Sequence, residues 1–173
     1  MAAAATGMAA TSQAAVTYNE SISGDLSSTS SPTFLAPGID EIIGGLVEQF
    51  STNPDPLDNF VISSLAPGGT ATFLYSFTKP NTTYGVNFTF SDPDTNAPLF
   101  STGSNAASGS GTTGALTVPS SGQIRISVEN TGTAEGFPDN TSWSVSTPDV
   151  VPEPAGAALL ALGSLLALRR QRD

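Results

Sequence analysis

The sequence predicts an all-β fold, a two-layer antiparallel β-sandwich of about eight strands, jelly-roll-like in its connections. Three observations predict it. Apolar residues alternate with polar ones at period two in three separate stretches, whereas residues 16–146 hold no helical period for more than two turns. Turn signals punctuate the chain at Ala66-Pro67-Gly68-Gly69, Lys79-Pro80-Asn81, Pro119-Ser120-Ser121-Gly122 and Thr131-Gly132. Polarity comes from Ser, Thr, Gly, Asn and Pro, while only 12% of the 173 residues are charged, about half the share usual in a soluble domain.

In chain order, the first strand candidate is Val16–Ile22, followed by Ile39–Val47, where Asp40-Glu41-Ile42-Ile43 also allows one helical turn. Asn59–Leu65 is the third. Ala71, Phe73, Tyr75 and Phe77 then alternate with Thr72, Leu74, Ser76 and Thr78, and Tyr84, Val86, Phe88 and Phe90 alternate with Gly85, Asn87 and Thr89. Because strand side chains point to opposite faces in turn, the first set of each pair is the core set. The Gly/Ser-rich segment 101–114 reads as a flexible loop. Ala115–Val118, the alternation of Ile124, Ile126 and Val128 with Arg125 and Ser127, and Ser142–Ser146 complete the strands. Phe34, Phe60, Phe73, Tyr75, Phe77, Tyr84, Phe88, Phe90, Phe100, Phe137 and Trp143 are expected between the sheets. Such a core suffices for one domain without disulfides.

The chain has no Cys and no His. That excludes disulfides, thiolate nucleophiles, Cys/His zinc sites and Ser-His-Asp triads. Residues 15–154 hold two cations, Lys79 and Arg125, against 14 carboxylates. A body so acidic repels phosphate backbones, so no nucleic-acid partner is expected. Nothing marks two carboxylates as the pair a glycosidase needs. The chain is read as not an enzyme, with a small secreted glycosidase as the least favoured alternative.

Both ends differ from the middle. Residues 1–15, MAAAATGMAATSQAA, are small and uncharged, with Ser12 and Ala14 suited to a signal-peptidase cut. They read as a signal-peptide remnant without its basic region, and an upstream start is expected. The sandwich domain is placed at 16–148. The tail 149–173 combines Pro152, Glu153 and Pro154 with an apolar run from Ala155 through Leu159, Leu160, Leu162, Leu165, Leu166 and Leu168, closed by Arg169, Arg170 and Arg172. The run is apolar on every face of a helix and is read as a transmembrane helix. The terminal arginines hold its end in the cytoplasm.

This tripartite tail resembles the PEP-CTERM sorting signal of Gram-negative bacteria. The resemblance implies export, transient anchoring in the inner membrane, processing by exosortase near Pro152-Glu153-Pro154, and release to the cell surface or extracellular matrix. It also implies association with exopolysaccharide and biofilm. Signal peptidase and exosortase would be partners. A second resemblance covers the body. Tyr18-Asn19-Glu20-Ser21-Ile22-Ser23-Gly24-Asp25-Leu26, Leu35-Ala36-Pro37-Gly38, Asp58-Asn59-Phe60 and the segment from Thr117 to Gly132 look like pre-peptidase C-terminal-like sandwiches. Those modules are non-catalytic, and some bind calcium or polysaccharide.

Two acidic loops are candidate metal sites. Asp92, Asp94 and Asn96 place oxygen ligands at alternate positions, as a calcium loop does. Ala97 stands where an EF-hand needs Gly, and Gly103 where it needs Glu. Asn53, Asp55 and Asp58 form the second loop, without a template. Solvated Asp/Pro turns are the other reading of both. The function expected is an exported, non-catalytic surface or matrix protein. The alternative is a calcium-dependent carbohydrate-binding module, with calcium the sole cofactor considered and Asp92, Asp94 and Asn96 its ligands.

Overall fold

A computed structural model describes residues 16–47, 54–80, 84–131 and 140–147. The expected signal remnant, Asn53, Phe137, Pro152-Glu153-Pro154, the apolar run and the three arginines lie outside the described residues. Among the described residues no helix is long and apolar enough to cross a membrane.

The elements in order are β1 (Thr17–Asn19), α1 (Glu20–Ser23), β2 (Thr33–Phe34), β3 (Glu41–Val47), β4 (Leu57–Ile62), β5 (Thr70–Ala71), β6 (Leu74–Thr78), β7 (Gly85–Ser91), β8 (Pro98–Ser104), β9 (Ser108–Thr112), β10 (Leu116–Thr117), β11 (Ile124–Thr131) and β12 (Asn140–Ser146). They build an all-β sandwich. One sheet has the order β1-β3-β12-β6-β9, the other β2-β4-β11-β7-β8, and β5 pairs with β10 in a small ribbon. Of the twelve strands among the described residues, β1, β2, β5 and β10 are only two or three residues long. Eight longer strands remain, four to a sheet. Among these eight only β7 and β8 are joined within a sheet; every other connection crosses to the opposite sheet.

The period-two core sets face inward. Phe88, Phe90, Val86, Ile124, Ile126 and Val128 are buried, and Phe60, Phe73 and Trp143 fill the space between the sheets. Rings meet across the gap: Phe73 lies 5.1 Å from Phe90 and Tyr75 5.0 Å from Phe88, both tilted, geometries that add to simple area burial.

Several expectations are corrected. The sheets are not wholly antiparallel, since β1 runs parallel to β3 and β2 parallel to β4. Val16–Ile22 is a strand only as far as Asn19. The Asn19 side chain then accepts the Ser21 N–H and caps one helical turn, and Ile22 is left exposed. Asp40–Ile43 forms no helical turn, because Glu41–Val47 pairs along its length with β12. The expected strand from Ala71 to Phe77 is interrupted at Thr72-Phe73, where Phe73 exchanges hydrogen bonds with Thr113 instead. Phe34 is 64% exposed on a short edge strand rather than in the core.

The largest correction concerns segment 101–114. It is no loop but the end of β8 and all of β9, which close the same side of the two sheets. Gly109 and Gly111 pair with Phe77 and Tyr75. A β-carbon on Gly109 would come within 2.7 Å of the Phe77 ring, and one on Gly111 would meet the Tyr75 hydroxyl. The glycines are required because the aromatic rings of the neighbouring strand lie over them.

Candidate metal centre

β1 follows β3 for three residues and then leaves the sheet. The turn of α1 ends at Gly24, whose φ of +105° suits glycine. The Tyr18 hydroxyl donates to the Gly24 carbonyl at 2.6 Å. This turn carries Glu20 and Asp25 back towards the part of β3 that β1 no longer covers. Glu20 there replaces the missing strand. Its Oε2 accepts the Gly45 N–H at 2.9 Å and its Oε1 the Leu26 N–H at 2.7 Å.

Two carboxylates arrive from the other side. Asp55 is pinned to Val47 by a pair of backbone hydrogen bonds of 2.7 and 3.2 Å. Asp58 lies on the inward face of β4 with Phe60 and Ile62 and is fully buried. Its Oδ2 accepts the Trp143 indole N–H at 2.6 Å, and the Trp143 ring stacks on Phe60 at 5.7 Å. Gly44, opposite Trp143 on β3, makes room for both groups: a β-carbon there would collide with the indole and lie 2.7 Å from Glu20 Oε2.

Glu20, Asp25, Asp55 and Asp58 thus each offer a carboxylate oxygen, and these oxygens all lie within 4.8 Å of one another. Asp55 Oδ1 and Asp58 Oδ1 are buried and accept no hydrogen bond. The two cations of the body are engaged elsewhere. Arg125 donates to Asn59, Asn96 and Ser30, and Lys79 donates to the Tyr84 carbonyl and sits over the Tyr84 ring. Burial, then the charge of Glu20 and a hydrogen bond shared with the Glu20 carboxyl, pushes the Asp58 carboxyl up to about 10, against the lowering effect of the Trp143 hydrogen bond. Burial, then the charges of Asp25 and Glu20, pushes Asp55 up to about 7. Without a counter-ion these groups resist ionising.

The arrangement fits a hard divalent cation. Calcium takes six to eight oxygens in irregular geometry, and all four donors are carboxylates. A cation would satisfy the two orphaned oxygens and offset the mutual repulsion. A groove of about 360 Å³, lined by Asn19, Glu20, Ser21, Asp25, Ile43, Gly44 and Gly45, opens at the surface beside Glu20 and Asp25.

The other acidic loop is differently built. Asp92 Oδ1 accepts the Asp94 N–H at 2.9 Å and Oδ2 the Thr95 hydroxyl at 2.9 Å. These bonds hold its carboxyl below the usual range. Asn96 Oδ1 accepts from the Arg125 guanidinium at 2.8 Å. Asp92 is thus engaged within its own turn and Asn96 by Arg125. Of the second loop, Asp55 and Asp58 belong to the cluster. Glu20 and Asp25 carry no ligand signature of their own. Besides lying in the Tyr18–Leu26 stretch noted above, they are marked only by the Asn19 cap followed by Gly24, a turn that folds back.

The geometry thus defines a cluster of four carboxylates, close enough together to hold a divalent cation, within a two-sheet β-sandwich. No family model and no curated protein matches the chain. Among solved structures, it is similar to one described as "CBM4 structure and function", at 17% identity and a TM-score of 0.38, covering 62% of this chain and 86% of that one. It is also similar to a carbohydrate-binding module, CBM36, in complex with calcium and xylotriose, at 15% identity and a TM-score of 0.36, covering 61% of this chain and 91% of that one.

Proposed function

We propose that this chain is a calcium-dependent, non-catalytic carbohydrate-binding module with a jelly-roll-like sandwich, delivered outside the cytoplasm. The observation that carries the reading is the convergence of Glu20, Asp25, Asp55 and Asp58 on one point, with buried Asp58 Oδ1 unpartnered. A glycosidase works with two carboxyls, about 5–5.5 Å apart when retaining and about 6.5–9.5 Å when inverting. Four carboxylates within 4.8 Å instead suit a cation. The outer face of the sheet containing β6, β9 and β12 favours a polyhydroxyl ligand. Ser76, Ser110, Thr112, Ser144 and Ser146 line a groove of about 420 Å³ there beside exposed Leu74, with no charged residue in its lining.

The tail supplies the route. Pro152-Glu153-Pro154, the apolar run and Arg169, Arg170 and Arg172 support sorting by exosortase to the surface or the exopolysaccharide matrix. Calorimetry with calcium, followed by affinity electrophoresis on neutral polysaccharides with calcium and with a chelator, tests the binding. Retardation that requires calcium is expected. Equal mobility with and without calcium on every polysaccharide would refute the reading. Mass spectrometry of the protein from a host with exosortase tests the route: a C-terminus still at Asp173 excludes processing.

A further inference from the structure

We infer that the free edge of β9 binds an extended segment of a different protein by strand addition, and that this segment has no acidic residue and an apolar one at every second position. The inference is independent of the cation reading. It concerns the opposite side of the sandwich, where β8 and β9 end the two sheets.

β9 offers a row of unused backbone groups. It runs antiparallel to β6, and the bonds from the Lys79 N–H to the Ala107 carbonyl and from the Thr113 N–H to the Phe73 carbonyl fix which facing residues are hydrogen-bonded pairs. Such pairs recur at every second residue, so Gly109 and Gly111 turn their N–H and carbonyl groups to β6. Ser108, Ser110 and Thr112 turn theirs outward, where no further strand follows among the described residues. Edge strands are ordinarily blunted by charge, proline or a bulge. β8, the other edge on this side, begins at Pro98, and its pairing shifts register between Phe90 and Ser91. β9, Ser-Gly-Ser-Gly-Thr, has no such device.

Behind this edge the core is incomplete. On β8, Phe100, Thr102 and Ser104 lie opposite the inward-facing Phe90, Phe88 and Val86, and on β9, Gly109 and Gly111 lie opposite Phe77 and Tyr75. Of these five inward positions only Phe100 is large. A slot of about 200 Å³ remains, walled by Tyr75, Phe77, Val86 and Phe88 and bordered by Thr102 and Gly109. An apolar cavity of about 150 Å³ holds a benzene ring, so a leucine or phenylalanine side chain fits the slot. A strand laid beside β9 delivers one, because the residue opposite Gly109 has its side chain on the same face as Gly109. Main-chain hydrogen bonds then give affinity, and the slot gives the choice of side chain.

Charge and symmetry select the partner. Residues 95–124 carry no charged side chain, on a body with two cations against 14 carboxylates. An acidic segment is repelled by that body, whereas one without acidic residues meets a neutral edge. A second copy of the chain is a poor occupant. β9 against β9 sets glycine opposite glycine on the inward face and leaves the slot empty, while it brings two acidic bodies together.

Two synthetic peptides test it on the full chain. One is Thr-Leu-Thr-Phe-Thr with a lysine at each end; the other has serine for Leu and Phe, so that charge is the same in both. Fluorescence anisotropy gives the affinities, and amide hydrogen exchange gives the location. The Leu/Phe peptide should bind about tenfold tighter, as burial of one apolar side chain provides. It should slow exchange at Ser108, Ser110 and Thr112 and leave Gly109 and Gly111, already bonded to β6, little changed. Ser110→Pro removes an outward N–H at an edge position where proline is tolerated, and should lose the peptide. Thr102→Leu fills the slot from β8 and should make the two peptides bind alike. The inference is overturned if neither peptide binds, if both bind the parent equally, or if protection does not alternate along β9. Binding that survives Ser110→Pro, or a preference that survives Thr102→Leu, also overturns it. Self-association of the parent that Ser110→Pro abolishes would overturn the choice of partner. Should Ser110→Pro fail to fold, the exchange pattern of the parent and the Thr102→Leu comparison decide.

Discussion

The chain carries two acidic clusters that differ in the way their oxygens are satisfied. In the loop from Asp92 to Asn96 the carboxylate of Asp92 turns back on its own backbone, and Asn96 is taken by Arg125. The loop sits at the surface and its charge is stabilised locally. In the cluster of Glu20, Asp25, Asp55 and Asp58 the groups come from two stretches far apart in sequence, and two buried oxygens accept no hydrogen bond. Close spacing in sequence gave the first cluster short-range partners and left it little to offer an ion. Convergence in space gave the second a charge that must be offset by bound protons or by an outside cation.

The difference breaks most sharply under calcium. At a concentration about a hundred times Kd, binding to the folded state alone adds about 2.7 kcal/mol, which should raise the melting temperature by several degrees. Asp58→Ala and Glu20→Ala should abolish the rise, and the double variant Asp92→Ala/Asp94→Ala should keep it. Scanning calorimetry with magnesium as control checks all three. A rise lost only in the Asp92/Asp94 variant would reverse the assignment.

Gly44→Ala sharpens the comparison from the packing side. The added methyl meets the Trp143 ring and Glu20 Oε2, at a cost of about 1–3 kcal/mol for overpacking. It should lower both the melting temperature and the calcium response. Gly103→Ala, whose methyl would find Asn87 Oδ1 at an ordinary 3.5 Å, serves as the control and should change neither.

A third effect is the pH dependence of the metal-free protein. Asp55 and Asp58 have carboxyls raised to about 7 and about 10 in the folded state, so the folded chain holds protons that the unfolded chain has released. Stability is then greatest below the ordinary carboxylate pKa near 4. It falls as pH rises through about 7, and further towards about 10. Thermal melts in chelator from pH 4 to pH 9 should show this decline, and calcium should flatten it. A metal-free protein that gains stability from pH 5 to pH 8 would contradict the buried, unpaired state of these groups. The smallest effect belongs to Asp92→Ala, which removes one exposed turn. Its melting temperature should drop slightly, with the same pH profile as the parent.

Much of the fold was legible because alternation is a local property. Val86, Phe88 and Phe90 face inward for the same reason that Ile124, Ile126 and Val128 do: residues two apart in a strand share a face. The segment 101–114 was misread because glycine and serine at period two carry no hydrophobic signal. Its apolar covering comes from Tyr75 and Phe77 on the neighbouring strand. Phe34 was misplaced in the core because it pairs with Val61 and so points to the face of the sheet opposite Phe60 and Ile62.

By itself, the sequence determined the class of the fold, the acidic body and the lack of Cys and His that leaves oxygen as the metal-binding chemistry. It also brought Asp55 and Asp58 to notice as neighbours in one loop. Only the tertiary structure decided that these two meet Glu20 and Asp25, about 30 residues earlier in the chain. The reason is physical. That meeting depends on β1 running parallel to β3 for just three residues, on a capped turn that reverses the chain, and on Trp143 reaching across the sandwich to Asp58. The turn is local, but the parallel pairing and the Trp143–Asp58 bond join distant segments, set by packing and hydrogen bonding that no local spacing encodes.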